Sequence, residues 1–152
     1  MTIQWRDNMS VDGGLIDADH KHLIEIINKF EVFSKGGLSV DQAMEILYAL
    51  KFYSSTHFRR EERLQLLAGF PYAEEHKLEH EELLQQLGHV IEEFRNLAPD
   101  ADYHEYARET AELLRHWLID HVLNRDLTMK GYVDLLKKET SGMGTLSDIQ
   151  VK

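Results

Sequence analysis

The chain has 152 residues, the length of one domain, and 43% of them are hydrophobic, so it can bury a core and is not expected to be disordered. Its 17 Lys and Arg against 27 Asp and Glu give a formal net charge of −10, which disfavours nucleic acids and anionic membrane surfaces as partners. The absence of Cys excludes disulfides, thiolate metal sites and a cysteine nucleophile. Because there is no signal-peptide pattern and no long apolar run, we expect a cytoplasmic protein without a membrane span.

The hydrophobic spacing predicts four long helices after an irregular N-terminal arm. The first helix is expected from about Ala18 to Ser34, with Asp17 as its N-cap. The second is expected from about Val40 to Ala68, because Ser39 and the Gln three residues later form a capping-box pattern. Its inward stripe is expected to include Tyr53.

The third predicted helix spans about residues 72–97 and the fourth about residues 102–138, with only two Pro in the whole chain to interrupt helices. Short connections make consecutive helices pack antiparallel. We therefore expect an all-α fold, an up-down-up-down antiparallel four-helix bundle with an N-terminal arm and a short C-terminal tail. The predicted domain covers residues 1–138 and the predicted tail covers residues 139–152.

Histidines and carboxylates occupy inward-facing positions near the middle of each predicted helix, where a bundle core normally has Leu or Ile. A bundle needs no ligand, and each pair by itself is typical of a helix surface. However, burying an ionised carboxylate without a partner is costly, and all four helices offer such groups to the same interior. This convergence indicates a metal centre. The candidate ligands are His20, His57, Glu61, His76, His80, His121 and Asp126.

The types of side chain in this set restrict the metal. Five imidazoles and two carboxylates without a thiolate suit iron, manganese or zinc better than copper(I) or calcium. Seven side chains are too many for one tetrahedral zinc ion, and they suit two six-coordinate ions that share Glu61 and Asp126. Ferritin-like di-iron enzymes use mostly Glu with paired Glu-x-x-His motifs, a pattern that this sequence lacks.

The spacing of the last two candidate ligands predicts an irregular helix. His121 and Asp126 are five residues apart, which separates them by about 140° around a regular α-helix. Both can face one centre only if the helix is locally widened. We therefore predict a π-type turn or an equivalent distortion between them, a feature that often marks functional sites. The remaining histidines, His22, His89, His104 and His116, are expected to be surface or outer residues.

Several motifs carry a resemblance to a known family. They are Ile16-Asp17-x-x-His20, Tyr53-x-x-x-His57-Phe58-x-x-Glu61-Glu62, Gly69-Phe70-Pro71 before His76-x-x-x-His80, and Trp117-Leu118-x-x-His121-x-x-x-x-Asp126. Together they resemble the hemerythrins, specifically the single-domain bacterial hemerythrins, from Trp5 to about Met129. The family often has Met shortly after the Glu-Glu pair, where this chain reads Arg63-Leu64-Gln65-Leu66. We expect this departure to alter packing rather than chemistry.

The resemblance implies a di-iron centre with a bridging oxo or hydroxo group, and reversible binding of dioxygen for storage, delivery or sensing. It implies that His76, His80 and His121 bind one iron, that His20 and His57 bind the other, and that Glu61 and Asp126 bridge them. It also implies that Leu118 lines the dioxygen pocket. On this interpretation the protein is not an enzyme, and we expect no catalytic Ser, Lys or spare carboxylate near the centre.

Two other functions remain open on the same bundle. One is a di-iron oxidase, a peroxidase or a nitric oxide-handling protein, and the other is a metal-binding or iron-storage module without gas chemistry. The sequence identifies neither an acceptor of dioxygen, nor a reductase, nor the oligomeric state.

Overall fold

The computed structural model describes residues 2–36, 39–98 and 100–141, and for His121 it describes the backbone but not the side chain. Within these residues there are helices and no strands. The elements are a 3₁₀ turn at Asp7–Met9, α1 at Leu15–Lys35, α2 at Val40–Ala68, α3 at Ala73–Arg95, α4 at Tyr103–His116, a π-helix at Trp117–Leu123, α5 at Asn124–Asp126, a second 3₁₀ turn at Leu127–Met129, and α6 at Lys130–Glu139.

The start of α1 corrects the sequence prediction. The helix begins three residues before Ala18, and its N-cap is Gly14, which has no side chain to form a capping hydrogen bond. Asp17 lies inside the helix, where its carboxylate accepts hydrogen bonds from the Ser10 hydroxyl and from the backbone N–H groups of Val11, Asp12 and Gly13. Asp17 therefore holds the N-terminal arm against α1 and does not cap the first turn of the helix. Burial raises the pKa of Asp17, but these hydrogen bonds outweigh burial and hold the pKa below its usual value.

The boundaries of α2 agree with the prediction, and both ends have a local cause. The Ser39 side chain accepts a hydrogen bond from the Gln42 backbone N–H, and the Gln42 side chain accepts one from the Ser39 backbone. This is the expected capping box. At the other end, Gly69 adopts a left-handed conformation with φ of 68°, which residues other than glycine rarely take. Tyr53, expected on the inward stripe, is 41% exposed instead and packs against the ring of His22.

The fourth predicted helix is interrupted, as the spacing of His121 and Asp126 requires. The π-helix occupies Trp117–Leu123, so the distortion begins before His121 rather than after it, and the 3₁₀ turn at Leu127–Met129 adds a second irregularity. Helix α6 continues through Gly131, although glycine is a poor helix former. The predicted tail begins at the last residue of α6, and its residues 142–152 lie outside the described part of the chain.

The helices form an antiparallel four-helix bundle in which the stretch from α4 to α6 provides the fourth member. Helix α2 packs against α1 and α3, α1 packs against α4, and α6 returns to α2.

At the N-terminus, the side chain of Asn28 accepts a hydrogen bond from the Ile3 N–H and donates one to the Ile3 carbonyl, which holds the arm against α1. No helix within the described ranges has both the length and the apolar composition needed to cross a bilayer.

The apolar core is divided into two clusters along the bundle axis. The larger contains Leu23, Phe58 and Leu83, and the smaller contains Ile16 and Leu64. On each of α1 and α2, buried polar residues lie between a member of one cluster and a member of the other. The fold therefore places a buried polar layer across the bundle, and this layer contains the candidate site.

Candidate metal centre

Six of the seven predicted ligands meet in this polar layer. They come from four parts of the bundle and are 0 to 3% exposed: His20 from α1, His57 and Glu61 from α2, His76 and His80 from α3, and Asp126 from α5. Ligand atoms within each of two overlapping groups lie within 4.8 Å of one another, and each group could hold a metal ion. The seventh, His121, is placed by its backbone in the π-helix, and its side chain lies outside the described part of the structure.

The two carboxylates divide their oxygens between two sets of imidazoles. Asp126 places Oδ2 at 2.7 Å from Nε2 of His20 and 3.3 Å from Nε2 of His57, while its Oδ1 lies 3.0 Å from Nε2 of His76. Glu61 places Oε2 at 3.0 Å from Nε2 of His57, while its Oε1 lies 2.8 Å from Nε2 of His76 and 3.1 Å from Nε2 of His80.

Glu61 and Asp126 therefore each belong to both groups. One group adds His20 and His57, and the other adds His76 and His80. Two metal ions can share a carboxylate when one oxygen faces each ion, so this arrangement of side chains fits a two-metal centre. The donors are imidazole nitrogens and carboxylate oxygens, a set suited to iron, manganese or zinc.

Without metal, this layer is an ion-pair network. Burial lowers the pKa of His76, but hydrogen bonds and the charges of Asp126 and Glu61 outweigh burial and raise it to about 10. The pKa of His57 is also raised well above its usual value, because contacts with Asp126, Asp19 and Glu61 outweigh the effect of burial. Burial raises the pKa of Glu61, yet contacts with the imidazoles of His57, His76 and His80 hold it well below its usual value. In the metal-free protein, protons on His57 and His76 thus lie beside the two carboxylates, in the space that a metal cation would fill.

Two carboxylates outside the ligand set contact the remote nitrogens of the imidazoles. Nδ1 of His57 lies 3.1 Å from Oδ2 of Asp19, and Asp19 also accepts a hydrogen bond from Nε of Arg60 at 3.1 Å. Nδ1 of His80 lies 2.9 Å from Oε2 of Glu62. A carboxylate on the remote nitrogen fixes the tautomer that leaves Nε2 free to bind metal.

Asp19 and Glu62 are thus two carboxylates beside the predicted ligands whose contacts the sequence did not indicate. Helical spacing did not predict the roles of Asp19 and Glu62, although Asp19 directly precedes His20 and Glu62 directly follows Glu61 in the chain. Adjacency did not predict the contact, because each of them supports an imidazole on a different helix, across a helix–helix interface.

The wall of the centre on one side is apolar and aromatic. Phe58 stacks on His80 with ring centroids 4.0 Å apart and an interplanar angle of 6°. Leu118 is completely buried in the π-helix, in the same apolar cluster as Phe58 and Trp117. The indole Nε1 of Trp117 donates a hydrogen bond to the carbonyl of Leu83, which ties the π-helix to α3.

The four histidines that were not assigned as ligands lie on the surface, as predicted. The side chains of His22, His116 and His89 are 41%, 61% and 76% exposed, and His104 is also exposed. Their contacts are with nearby residues on the outside of the bundle, including Glu25, Glu93 and Asp120.

Comparison with known proteins gives the family. The profile described as "Hemerythrin HHE cation binding domain" matches residues 14–133, which include all seven predicted ligands. The chain belongs to the hemerythrin family. A protein of Clostridium acetobutylicum named bacteriohemerythrin is 30% identical over 133 residues, covering 86% of this chain and 98% of the relative. A bacteriohemerythrin of Pseudomonas aeruginosa is 29% identical over 137 residues, covering 90% of this chain and 83% of the relative.

The bundle is also found in solved hemerythrin structures. The crystal structure of wild-type hemerythrin superposes with a TM-score of 0.72 at 23% identity, covering 86% of this chain and 97% of that one. A structure of a hemerythrin variant gives the same TM-score at 22% identity. At this level of identity the likeness shows the fold. The hemerythrin domain of this chain is therefore a four-helix bundle with a cluster of His, Glu and Asp that binds metal.

The ion-pair network predicts how the metal-free hemerythrin domain depends on pH. The pKa of His76 is raised to about 10 in the fold, so its contribution to stability is complete below its unfolded pKa, near 6.5, and is lost as the pH rises through about 10. We expect the melting temperature of the metal-free protein to fall between pH 7 and pH 9.5, by an amount equivalent to a few kcal/mol (about 1.4 kcal/mol for each unit of pKa shift). Calorimetry of the chelated protein measures this. A metal-free melting temperature that stays constant over this range, or one that falls equally in His76→Asn, contradicts the prediction.

Proposed function

We propose that this chain binds two iron ions and uses them to bind dioxygen reversibly, for storage, delivery or sensing. The observation that carries the proposal is the division of the Glu61 and Asp126 oxygens between two sets of imidazoles. Membership of the hemerythrin family and relatives named bacteriohemerythrin favour iron and dioxygen over other metals and ligands.

In this proposal each side chain of the polar layer has one role. The carboxylates of Glu61 and Asp126 would be shared by the two irons. The proposed terminal ligands are His76, His80 and His121 on one iron and His20 and His57 on the other. The half with two imidazoles would have one protein ligand fewer, which would leave room for dioxygen on that side of the centre. When bound, the irons supply the electrons that make binding of dioxygen reversible.

The residues around the ligands then have supporting roles. Asp19 and Glu62 hold the remote nitrogens of His57 and His80, so that each imidazole presents Nε2 to the metal. Leu118, which we propose as a wall of the dioxygen pocket, is apolar and completely buried, so it keeps water from the centre. Exclusion of water and protons is what separates reversible binding from oxidation, because a proton allows reduced oxygen to leave.

The test of this function is a spectrum. Anaerobically reduced, iron-loaded protein is expected to develop a visible charge-transfer band on addition of dioxygen and to lose it under vacuum, over repeated cycles. A band that does not reverse, with oxidised iron left behind, supports the oxidase alternative. No band at all supports metal storage without gas chemistry.

The ligand assignment predicts which histidine is needed for iron. His76→Ala removes an imidazole that faces both carboxylates, so we expect the variant to lose most of the bound iron, measured as metal per chain. His116→Ala is the matched control, because this imidazole is 61% exposed and pairs with Asp120 on the surface. The control is expected to retain two irons per chain. Equal retention of iron by both variants would show that the ligands have been assigned wrongly.

The proposed pocket wall predicts the rate of autoxidation. Leu118→Asn brings a polar group and water to the centre, and Leu118→Ala leaves a cavity that costs about 2–5 kcal/mol of stability at a fully buried site. We expect both variants to keep two irons and to autoxidise several-fold faster, followed as decay of the oxygenated spectrum. Leu113→Ala, a change at a leucine that is 49% exposed, serves as the control. If Leu118→Asn autoxidises at the parental rate, Leu118 does not line the pocket.

A further inference from the structure

Gln65 is a buried amide next to the proposed bridge. It lies on α2 one turn after Glu61 and is 0% exposed. Its Nε2 lies 3.4 Å from Oε1 of Glu61 and 3.4 Å from Sδ of Met129, which is also fully buried. Its Oε1 has no hydrogen-bond partner among the described residues. A buried amide with an unpartnered oxygen is costly, so its presence calls for an explanation.

The direction of this hydrogen bond is fixed by its surroundings. The reversed amide would place the Gln65 carbonyl oxygen against a carboxylate oxygen, which is repulsive, and would leave the amide N–H groups without these two acceptors. The amide therefore donates to Glu61 and to the weakly accepting sulfur of Met129. The expectation that this departure from the family pattern affects packing is thus incomplete, because Gln65 contacts the carboxylate itself.

The amide acts on one oxygen of the bridge. It contacts Oε1 of Glu61, the oxygen that lies 2.8 Å from His76 and 3.1 Å from His80, whereas Oε2 faces His57. A hydrogen bond to one carboxylate oxygen withdraws negative charge mainly from that oxygen. The low polarity of the apolar cluster beyond it, which contains Leu64 and Met129, strengthens the effect.

We propose that Gln65 is a positioning residue that holds Glu61 and makes the two halves of the metal centre electronically unequal. By donating to Oε1, it weakens this oxygen as a donor to the metal held by His76 and His80, and so favours the reduced state of that metal. Hydrogen bonds to metal ligands tune reduction potentials in this way. The inference rests on the proposed function, since it assumes two irons that share Glu61.

The test is the midpoint potential of the iron centre in matched variants. Gln65→Met and Gln65→Leu remove the donor with side chains of different shape, and Gln85→Met makes the first change at an exposed position on α3. Without the hydrogen bond, Glu61 becomes a stronger donor, so we expect the oxidised-to-reduced ratio at a fixed potential to rise about tenfold in both Gln65 variants. For a one-electron couple this is a fall of about 59 mV. The control variant is expected to match the wild type.

Iron content and melting temperature are measured on the same samples, so that tuning is separated from folding. Two irons per chain with a lowered potential in both Gln65 variants support the proposal. An unchanged potential with two irons bound overturns it, and so does a shift in one variant but not the other, which indicates packing. Loss of iron in both variants in parallel with a lower melting temperature assigns Gln65 a structural role and also overturns the proposal. Wild-type protein without two irons overturns the proposed function, and this inference with it.

Discussion

The structure depends on one constraint, the burial of two carboxylates and at least four imidazoles in a single layer of a helical bundle. Unpaired, such groups are costly to bury, and here each carboxylate oxygen lies within 3.3 Å of at least one imidazole nitrogen. The apolar clusters above and below the layer supply the stability that allows it, since the larger cluster includes residues from all four members of the bundle. Metal binding replaces imidazolium protons as the positive charge of the layer, and thus couples occupancy to folding.

The geometry of the fourth helical stretch follows from the same constraint. A uniform α-helix would turn His121 and Asp126 about 140° apart, and the π-helix at Trp117–Leu123 changes this register. The cost is a segment with poorer hydrogen-bond geometry, which tertiary contacts hold in place, including the hydrogen bond from Trp117 to Leu83 and the burial of Leu118. The distortion thus brings Asp126 into the layer and places the apolar Leu118 in the cluster beside it.

Charged side chains just outside the ligand set hold the imidazoles in place. Asp19 and Glu62 each hold an imidazole that belongs to a neighbouring helix, and Arg60 in turn holds Asp19 from the surface side. Because each contact crosses between two packed helices, helix packing fixes the orientations of the His57 and His80 rings. The polar layer is therefore pre-organised to bind metal. Gln65 adds a further contact, because its amide donates to one oxygen of Glu61 and to the sulfur of Met129.

Helical periodicity was enough to predict the helices, the bundle and the seven candidate ligands, because it fixes which residues share a helix face, and four such faces offered metal ligands. It also determined that a π-type distortion was required, although its position was set by tertiary packing around Trp117. Other features follow only from the packed helices, because periodicity does not specify contacts between elements. Asp17 holds the N-terminal arm, and Tyr53 points outward. Asp19, Glu62 and Gln65 reach the centre. Most of these contacts join separate elements or depend on side-chain rotamers, and their geometry exists only once the helices have packed.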